Sequence, residues 1–382
     1  MIRQTLQPRN HWQETVERLG FGFHTTEAAY WDESACYAFG MDEVLTIEQA
    51  TSSLWDMCLK AVDYVIDQRL FDLFHIPAPV IPYVIDGWEG DAPSIYGRFD
   101  LCFRDGQVKL LEFNADTPTS LFEAGIVQWF WLQDVFPSRD QFNSIHEKLI
   151  DCWSGLRPYL NPGLLHFACV SDSLEDLTNC EYLRDCAIQA GLPTRHLFMD
   201  DIGWDGRALV DLDNEPIQNL FKLYPWEWLS REPFGEHLMA AREPFRGGAG
   251  SPVKVIEPAW KMILSNKAIL PILWQLFPDH PLLLPAFFEP GPLRSYARKP
   301  LLSREGANIE LVRSGDLLAR TDGEYGEEGY IYQALFELPS FEGGYPVIGS
   351  WVIGQEPAGI GIRESGGLVT DNLSRFVPHY IL

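Results

Sequence analysis

The sequence predicts an α+β fold in several lobes that do not separate cleanly along the chain. Apolar residues at helical spacing between Leu54 and Val65 indicate an amphipathic helix. Short strand-like runs occur in residues 94–123 and again in the last third of the chain, between Ser295 and Arg363. Residues 160–215 alternate strand and helix, which predicts a small α/β unit within the larger fold.

Composition and charge limit the classes of protein to be considered. The 382 residues are 46% hydrophobic and 22% charged, which is enough for two or three globular lobes. No apolar run is long enough to cross a membrane and the first residues lack a signal-peptide core, so we expect a cytoplasmic protein. The net charge of −25 argues against a nucleic-acid partner and favours a cationic substrate such as a polyamine. The sequence leaves the oligomeric state open.

Cysteine and histidine give no sign of a metal site or of nucleophilic catalysis. Seven cysteines lie between Cys36 and Cys186, and no two of them have Cys-x-x-Cys spacing. This pattern predicts reduced thiols, with neither a zinc site nor a disulfide framework. The nine histidines have no metal-ligand spacing with a carboxylate and no arrangement typical of Ser-His-Asp or Cys-His catalysis. We therefore assign no histidine to the mechanism.

Local signals place the remaining elements in order along the chain. Capping boxes at Thr46–Gln49 and Ser144–Glu147 predict two helix starts, the second helix ending near Leu156. An aromatic-rich helix is expected from Phe122 to Leu132. The α/β unit is expected to consist of a strand at 164–170, a helix at 181–190 and a strand at 195–198. Further strands are predicted at 295–299, 330–335, 348–353 and 358–363.

The segment Arg242–Pro252 is rich in glycine and is bounded by prolines. Such a segment can cradle a phosphate, but this one lacks the Gly-Lys-Ser/Thr ending of a P-loop. We interpret it as a linker or mobile loop.

Residues 94–123 carry the most informative polar pattern. Two strand-like runs are joined at Asp105-Gly106; Arg98 and Asp100 lie two apart on the first run, and Glu112 and Asn114 lie two apart on the second. Because side chains alternate along a strand, each pair shares a face. Two carboxylates and an amide oxygen are ligands suited to Mg²⁺, and arginine suits a phosphate or an oxyanion. The alternative is a solvated hairpin face with incidental charges.

The hairpin register decides whether the two polar pairs meet. A two-residue loop at Asp105-Gly106 would set Asp100 opposite Leu111 and leave Glu112 on the far face. A three-residue loop, 104–106 with glycine in the left-handed conformation, would set Arg98 opposite Glu112 and all four polar groups on one surface. The interpretation as a metal site therefore predicts the three-residue loop.

The last third of the chain offers candidate phosphate and base contacts. Lys267 precedes a helical segment and Lys299 ends a strand; each can serve as a mobile charge for phosphate oxygens, or be an ordinary surface lysine. The loop Ser303–Asn308 can fold backbone amides over a triphosphate. Gln333, on an apolar strand, can contact an adenine edge or be an ordinary strand amide.

From about His11 to its C-terminus, the sequence resembles the synthetase domain of glutathionylspermidine synthase, an ATP-grasp enzyme, and the stand-alone acid–amine ligases of that family. As in this family, the acidic hairpin precedes the nucleotide lysines. The resemblance implies an ATP-grasp fold with pre-ATP-grasp-like lobes over residues 1–382: a metal-binding hairpin at 90–125, an α/β unit at 160–215 and nucleotide-binding lobes at 255–382. It rests on Arg98-Phe-Asp100, Leu111–Ser120, Asn219–Trp226, Glu257-Pro-Ala-Trp260, Ser265-Asn-Lys-Ala268, Arg298-Lys-Pro300, Ser303-Arg-Glu-Gly306 and Gly359–Arg363.

The resemblance also implies roles for individual residues. Asp100, Glu112 and Asn114 would hold two Mg²⁺ ions, with Glu112 bridging them, and Arg98 would contact the γ-phosphate and the oxyanion of the intermediate. Thr117 would contact an acid substrate and Glu181 an amine. The nucleotide would be contacted by Arg98, Phe99, Asp100, Lys267, Lys299, Gly306, Gln333, Arg363, Leu368, Val369 and Thr370.

The activity implied is that of an ATP-dependent acid–amine ligase. A carboxylate would be activated as an acyl phosphate, which an amine attacks to give an amide, ADP and phosphate. Glutathione and spermidine are candidate substrates. The serine-containing segment that follows the metal ligands in the synthases is here Asp116-Thr-Pro-Thr119, and the chain has no motif for the amidase domain of the bifunctional enzymes. Two rivals are a catalytically silent nucleotide- or polyamine-binding protein and a carboxylate kinase.

Overall fold

A computed structural model describes residues 1–25, 29–240, 253–371 and 373–382. The predicted linker at Arg242–Pro252 lies outside the described residues. The helices are α1 (Trp12–Arg18), α2 (Met41–Asp67), α3 (Ile81–Glu89), α4 (Gln128–Val135), α5 (Ile145–Gly155), α6 (Leu174–Gln189), α7 (Trp226–Leu229), α8 (Gly235–Ala240), α9 (Lys261–Ser265) and α10 (Ile269–Leu276). Short 3₁₀ segments lie at Leu70–Phe74 and Met199–Asp201, and a π-helical segment at Glu123–Val127.

The strands in the first part of the chain are β1 (Ile2–Thr5), β2 (Ala35–Phe39), β3 (Tyr96–Arg104), β4 (Gln107–Asn114), β5 (Leu165–Cys169), β6 (Thr194–Phe198), β7 (Gly203–Trp204), β8 (Leu209–Val210), β9 (Asn219–Leu223) and β10 (Lys254–Ile256). Those in the last part are β11 (Ala286–Phe287), β12 (Tyr296–Pro300), β13 (Glu310–Arg313), β14 (Asp316–Arg320), β15 (Tyr330–Ala334), β16 (Tyr345–Ile353), β17 (Glu356–Ser365), β18 (Arg375–Phe376) and β19 (His379–Ile381). The fold therefore mixes helices and sheets, as predicted.

Two five-stranded antiparallel sheets position the candidate site. The first has the order β18-β17-β16-β3-β4, so the polar hairpin β3–β4 forms one edge of it and the C-terminal strands form the rest. The second has the order β11-β15-β12-β13-β14. We call these the hairpin sheet and the lysine sheet. Helix α2 packs against β16 and β17, and α10 packs against α2, β11 and β15, so the two sheets share one apolar core.

The predicted α/β unit belongs to a parallel sheet of order β10-β9-β5-β6, with β5, α6 and β6 forming a crossover. The sheet extends beyond residues 160–215, because β9 and β10 complete it. Two further sheets, β1-β2-β19 and β7-β8, are small. Among the described residues, no helix is both long enough and apolar enough to span a membrane.

Several predicted boundaries differ from the structure. Helix α2 begins at Met41, because Glu43 caps the backbone N–H of Gly40; Thr46 does not start the helix and instead donates to the carbonyl of Asp42. The predicted apolar stripe of this helix is buried. Helix α5 begins after Ser144 as predicted, but that hydroxyl donates to Ala358 and does not cap the helix. The aromatic segment begins as π-helix before α4, and α6 starts seven residues before the predicted 181.

Candidate active site

The hairpin register differs from the prediction. The loop has two residues, Asp105 and Gly106, at φ 53° and 74°, which is the left-handed pair that a tight hairpin turn requires. The expected three-residue loop is therefore wrong. A bulge at Leu111 restores the alignment: Leu101 pairs with Leu110, whereas Asp100 pairs directly with Glu112. The polar groups consequently share one face for a different reason from the one that the sequence suggested.

Arg98 is held by its neighbours on this face. Its guanidinium donates Nε to Asp100 at 2.6 Å and Nη2 to the other carboxylate oxygen at 3.1 Å, and Nη1 donates to the carbonyl of Thr119 at 2.7 Å. The side chain is only 7% exposed, and burial opposes its charge, but Asp100 and Glu112 outweigh burial and raise the pKa of Arg98. Arg98 is therefore a fixed, fully charged group beside the two carboxylates.

The acidic pair and Asn114 fit a hard divalent cation. Asn114 Nδ2 donates to Asp100 and to Glu112, each at 3.3 Å, so all three side chains converge on one point. Turning the amide over would present its oxygen there, which gives three oxygen donors of the kind that Mg²⁺ takes. The donor set thus fits the implied metal, and Asp100, Glu112 and Asn114 would be its ligands.

Lys267 and Lys299 lie beside Glu112 and are both buried, which excludes the alternative of surface lysines. Lys267 Nζ lies 3.3 Å from Glu112 and donates to the carbonyl of Ser303 at 2.6 Å. Burial alone would raise the pKa of Glu112, but the two lysines and Asn114 outweigh it and lower the pKa to about 2. Burial lowers the pKa of Lys299 to about 8, with Glu112 acting in the opposite direction. Glu112 is therefore an ionised carboxylate beside two buried lysines.

The lysine sheet contacts the hairpin sheet through Lys299 and Gln333. Lys299 Nζ donates to the carbonyl of the bulge residue, Leu111, and to Gln333 Oε1, both at 2.8 Å. Gln333 Nε2 donates to the carbonyl of Leu110 at 3.0 Å. Gln333 is 2% exposed, so its amide orders the edge of the cleft and is not an ordinary solvated strand amide.

A cavity of about 850 Å³ opens over these groups. This volume is large enough for a nucleotide. Gly306 lies at its edge with φ 70°, and a Cβ at this position would come within 2.3 Å of the carbonyl oxygen of Thr370. The loop that contains Gly306 therefore lies so close to the 368–370 segment that only glycine fits at this position. The predicted site residues that line the cavity are Asp100, Glu112, Lys267, Lys299, Gly306, Gln333, Leu368, Val369 and Thr370.

Other predicted site residues lie around or away from this cavity. Phe99 is fully buried and stacks on Phe113, so its side chain faces the core. Arg363 donates to the carbonyl of Asp371 at 2.7 Å and lines a small cleft with Arg98. Thr117 accepts from Arg304 at 2.8 Å and lies in a separate small cleft beside Asn114. Glu181 is bonded to Arg184 at 3.0 Å, within helix α6.

Three carboxyl groups with raised pKa values were not predicted as site residues. Burial raises the pKa of Glu175 and raises that of Asp176 to about 6 and that of Glu123 to about 8. The charges of Arg98 and Arg363 both act on Glu175, which places it on the Arg98 side of the site. The sequence around Ser173 is typical of a helix cap, and Asp176 N–H donates to Ser173 at 3.1 Å. This pattern could have located Glu175 and Asp176 at the start of a helix. Glu123 had no comparable signal.

Comparison with known proteins agrees with this geometry. Residues 3–382 match the family profile described as glutathionylspermidine synthase preATP-grasp. A Haemophilus influenzae protein that carries the name of an acid–amine ligase is 40% identical, with 95% of each chain covered. Trypanothione synthetase of Crithidia fasciculata is 31% identical over 84% of this chain and 52% of its own. The bifunctional glutathionylspermidine synthetase/amidase of Escherichia coli is 31% identical over 86% of this chain and 56% of its own.

The chain thus spans nearly all of the first relative and about half of the other two. The family profile covers almost every residue, including the hairpin, both lysines and the 368–370 segment. The chain therefore belongs to the glutathionylspermidine synthase family.

Proposed function

We propose that this enzyme is an ATP- and Mg²⁺-dependent acid–amine ligase with an ATP-grasp nucleotide site. The single observation that carries the proposal is that Asp100, Glu112, Lys267 and Lys299 line one nucleotide-sized cavity between two antiparallel sheets, with Asn114 hydrogen-bonded to both carboxylates. Hard oxygen donors beside buried cations suit a metal–triphosphate ligand. Names of ligases among the relatives support the same chemistry.

In the proposed reaction, the carboxylate of one substrate attacks the γ-phosphate and ADP leaves. The amine then attacks the acyl phosphate, the amide bond forms, and phosphate departs. Two bound Mg²⁺ ions would neutralise charge on the transferred phosphoryl group. Arg98 would hold the oxyanion of the tetrahedral intermediate through directed hydrogen bonds, and Lys267 and Lys299 would hold the phosphate oxygens.

The amine substrate is proposed to be cationic. Glu175 acts on both Glu123 and Asp176; Glu123 is fully buried, the other two carboxyls are partly exposed, and all three have a raised pKa. A bound ammonium would favour their ionised forms, because an opposite charge lowers the pKa of a carboxyl. A polyamine is thus the proposed amine and a glutathione-like peptide the proposed acid. Thr117 and Arg304 are candidates for contact with the acid, since both lie beside Asn114.

The test is a screen for ADP release across acids and amines with Mg·ATP. A ligase requires both substrates, a carboxylate kinase releases ADP with the acid alone, and a silent binding protein releases none. Asp100→Asn should raise the Mg²⁺ concentration needed for ATP binding, because one anionic ligand is lost at constant volume. Asp105→Asn, in the exposed turn of the same hairpin, is the matched control and should leave the Mg²⁺ dependence unchanged. An unchanged Mg²⁺ requirement in Asp100→Asn would remove Asp100 from the site.

A further inference from the structure

We propose that Cys169, Cys180 and His196 form a zinc site in the parallel sheet, separate from the ATP cleft. Their sulfur and nitrogen ligand atoms all lie within 4.8 Å of one another. Among the described residues, this is the group of cysteine, histidine and carboxylate side chains whose ligand atoms are grouped closely enough for a single ion. The sequence predicted no zinc site, because the ligands are 11 and 16 residues apart and come from three different elements.

The fold brings these ligands together at one end of the β5–α6–β6 crossover. Cys169 is the last residue of β5, Cys180 lies in α6, and His196 lies in the neighbouring strand β6. Both thiols are fully buried and the imidazole is partly exposed. Parallel pairing of β5 with β6 sets Phe167 beside His196, so the histidine ring can reach the sulfur two residues farther along β5. The site is thus built from rigid elements.

The distances and the chemistry suit a tetrahedral ion. Cys169 Sγ lies 3.8 Å from His196 Nε2. With Zn–S bonds of about 2.3 Å and Zn–N bonds of about 2.0–2.1 Å, a tetrahedral zinc ion holds its ligand atoms about 3.5–3.8 Å apart. Two thiolates and an imidazole favour zinc over Mg²⁺, which prefers oxygen ligands. Zinc should therefore prefer this site, and Mg²⁺ should prefer the acidic hairpin.

Zinc is bound by thiolate sulfurs and by a neutral imidazole nitrogen. On binding, each thiol releases its proton to solvent and a sulfur–zinc bond forms. The fourth position would be taken by water or by Glu181, whose charge acts on His196.

The site has a structural consequence for the ATP cleft. Cys169 and Cys180 enclose the loop and first turn that carry Ser173, Glu175 and Asp176. A zinc ion would clip α6 to the end of β5 and fix the direction of these carboxyls. The metal site is inferred from its own ligands and does not depend on the ligase activity.

The test uses the full chain purified with a reducing agent and without chelators. Zinc per chain is measured by inductively coupled plasma mass spectrometry after dialysis, and Co²⁺ titration reports thiolate-to-metal charge-transfer bands. We expect one equivalent of zinc in the wild type. Cys180→Ser and His196→Asn should each lower zinc affinity at least about 100-fold, because even outer-shell changes cost 10- to 100-fold. Cys152→Ser, a partly exposed cysteine of α5, should bind zinc like the wild type.

Three results would overturn the proposal: a wild type without zinc or Co²⁺–thiolate bands, equal zinc in wild type and both ligand variants, or a Cys169–Cys180 disulfide in the peptide map. Circular dichroism and ATP binding check that each variant is folded. If Cys180→Ser fails to fold, His196→Asn still decides the question, since its ring is partly exposed, and the Co²⁺ titration of the wild type needs no variant. Retained ATP binding without zinc would leave the ligase proposal intact and reject this one.

Discussion

Burial determines how the charged side chains near the cleft behave. Lys222 and Asp116 are both fully buried and 3.0 Å apart, and Asp116 also accepts from the backbone N–H of Trp226 at 2.8 Å. Such a pair anchors the segment that follows the metal ligands, since removal of either partner would leave an isolated buried charge. Glu112, by contrast, is 29% exposed and lies beside Lys267 and Lys299, which also face the cavity. The Lys222–Asp116 ion pair is thus structural, whereas the lysines beside Glu112 are available to a ligand.

Burial of the Glu123 carboxyl should make the stability of the protein depend on pH. Tyr30 donates to its Oε1 at 2.7 Å, Oε2 has no partner, and burial together with Glu175 raises its pKa to about 8. Between about pH 4.5 and 8 the native carboxyl binds a proton that the unfolded chain has lost, so stability falls as pH rises across this window. The slope from one such group is up to about 1.4 kcal/mol per pH unit. Glu123→Gln should flatten this part of the stability curve.

Urea unfolding between pH 5 and 9 measures this effect. The matched control is Glu89→Gln, at the exposed end of α3, which should follow the wild type at every pH. Parallel curves for Glu123→Gln and wild type would show that Glu123 is ionised in the native protein.

At the scale of elements, the bulge at Leu111 explains why the sequence predicted the correct face from the wrong loop. Asp105-Gly106 signalled a two-residue turn, and polar alternation signalled a shared face, but an unbulged hairpin cannot satisfy both. The extra residue reconciles them, and its carbonyl accepts from Lys299 at 2.8 Å. A bulge is selected by contacts with another strand far along the chain, so local pattern could not predict it.

A glycine in the neighbouring strand β16 makes room for Arg98. Gly349 pairs with Asp100, and a Cβ at this position would lie 2.8 Å from Arg98 Cδ and 3.3 Å from Cγ. Gly349→Ala should therefore displace the guanidinium from Asp100 and Thr119. We expect turnover to fall on the order of 10- to 100-fold, as for a catalytic group misplaced by about 1 Å, with ATP affinity largely retained.

Steady-state kinetics and calorimetry with Mg·ATP separate these two quantities. Gly155→Ala, at the end of α5 where an added Cβ meets nothing within 4 Å, is the matched control and should behave as wild type. Full turnover in Gly349→Ala would mean either that Arg98 tolerates the shift or that it has no part in the chemical step.

At the scale of the whole molecule, the cleft joins two sheets that are far apart in the sequence. The proposed metal ligands come from β3 and β4, Lys299 and Gln333 come from the lysine sheet, and the 368–370 segment lies beyond β17. These residue types could be predicted from the sequence because the polar hairpin and the family motifs are local. Glu175, Asp176 and the Cys169–Cys180–His196 group could not, because their roles depend on which elements the fold brings together.

Bound nucleotide should hold the two sheets together through both lysines. Lys267 contacts Glu112 of the hairpin sheet and the carbonyl of Ser303, and Lys299 contacts Leu111 from the lysine sheet. Each lysine should contribute a charge-assisted bond to the triphosphate, worth about 1.5–3 kcal/mol. Lys267→Ala and Lys299→Ala should therefore weaken ATP binding by about 10- to 150-fold and reduce the rise in Tm that ATP gives the wild type.

Calorimetry and thermal unfolding with and without Mg·ATP measure both effects. Lys60→Ala, an exposed lysine of α2, is the control and should keep the wild-type affinity and Tm shift. Water cannot take the place of either buried lysine, as it can for an exposed one, because each lysine also balances the negative charge of Glu112. ATP affinity within about twofold of the wild type in both variants would correspond to roughly 0.5 kcal/mol or less, the value of an exposed charge contact. The phosphate role of the two lysines would then be wrong, and the cavity would have to bind its ligand through the hairpin alone.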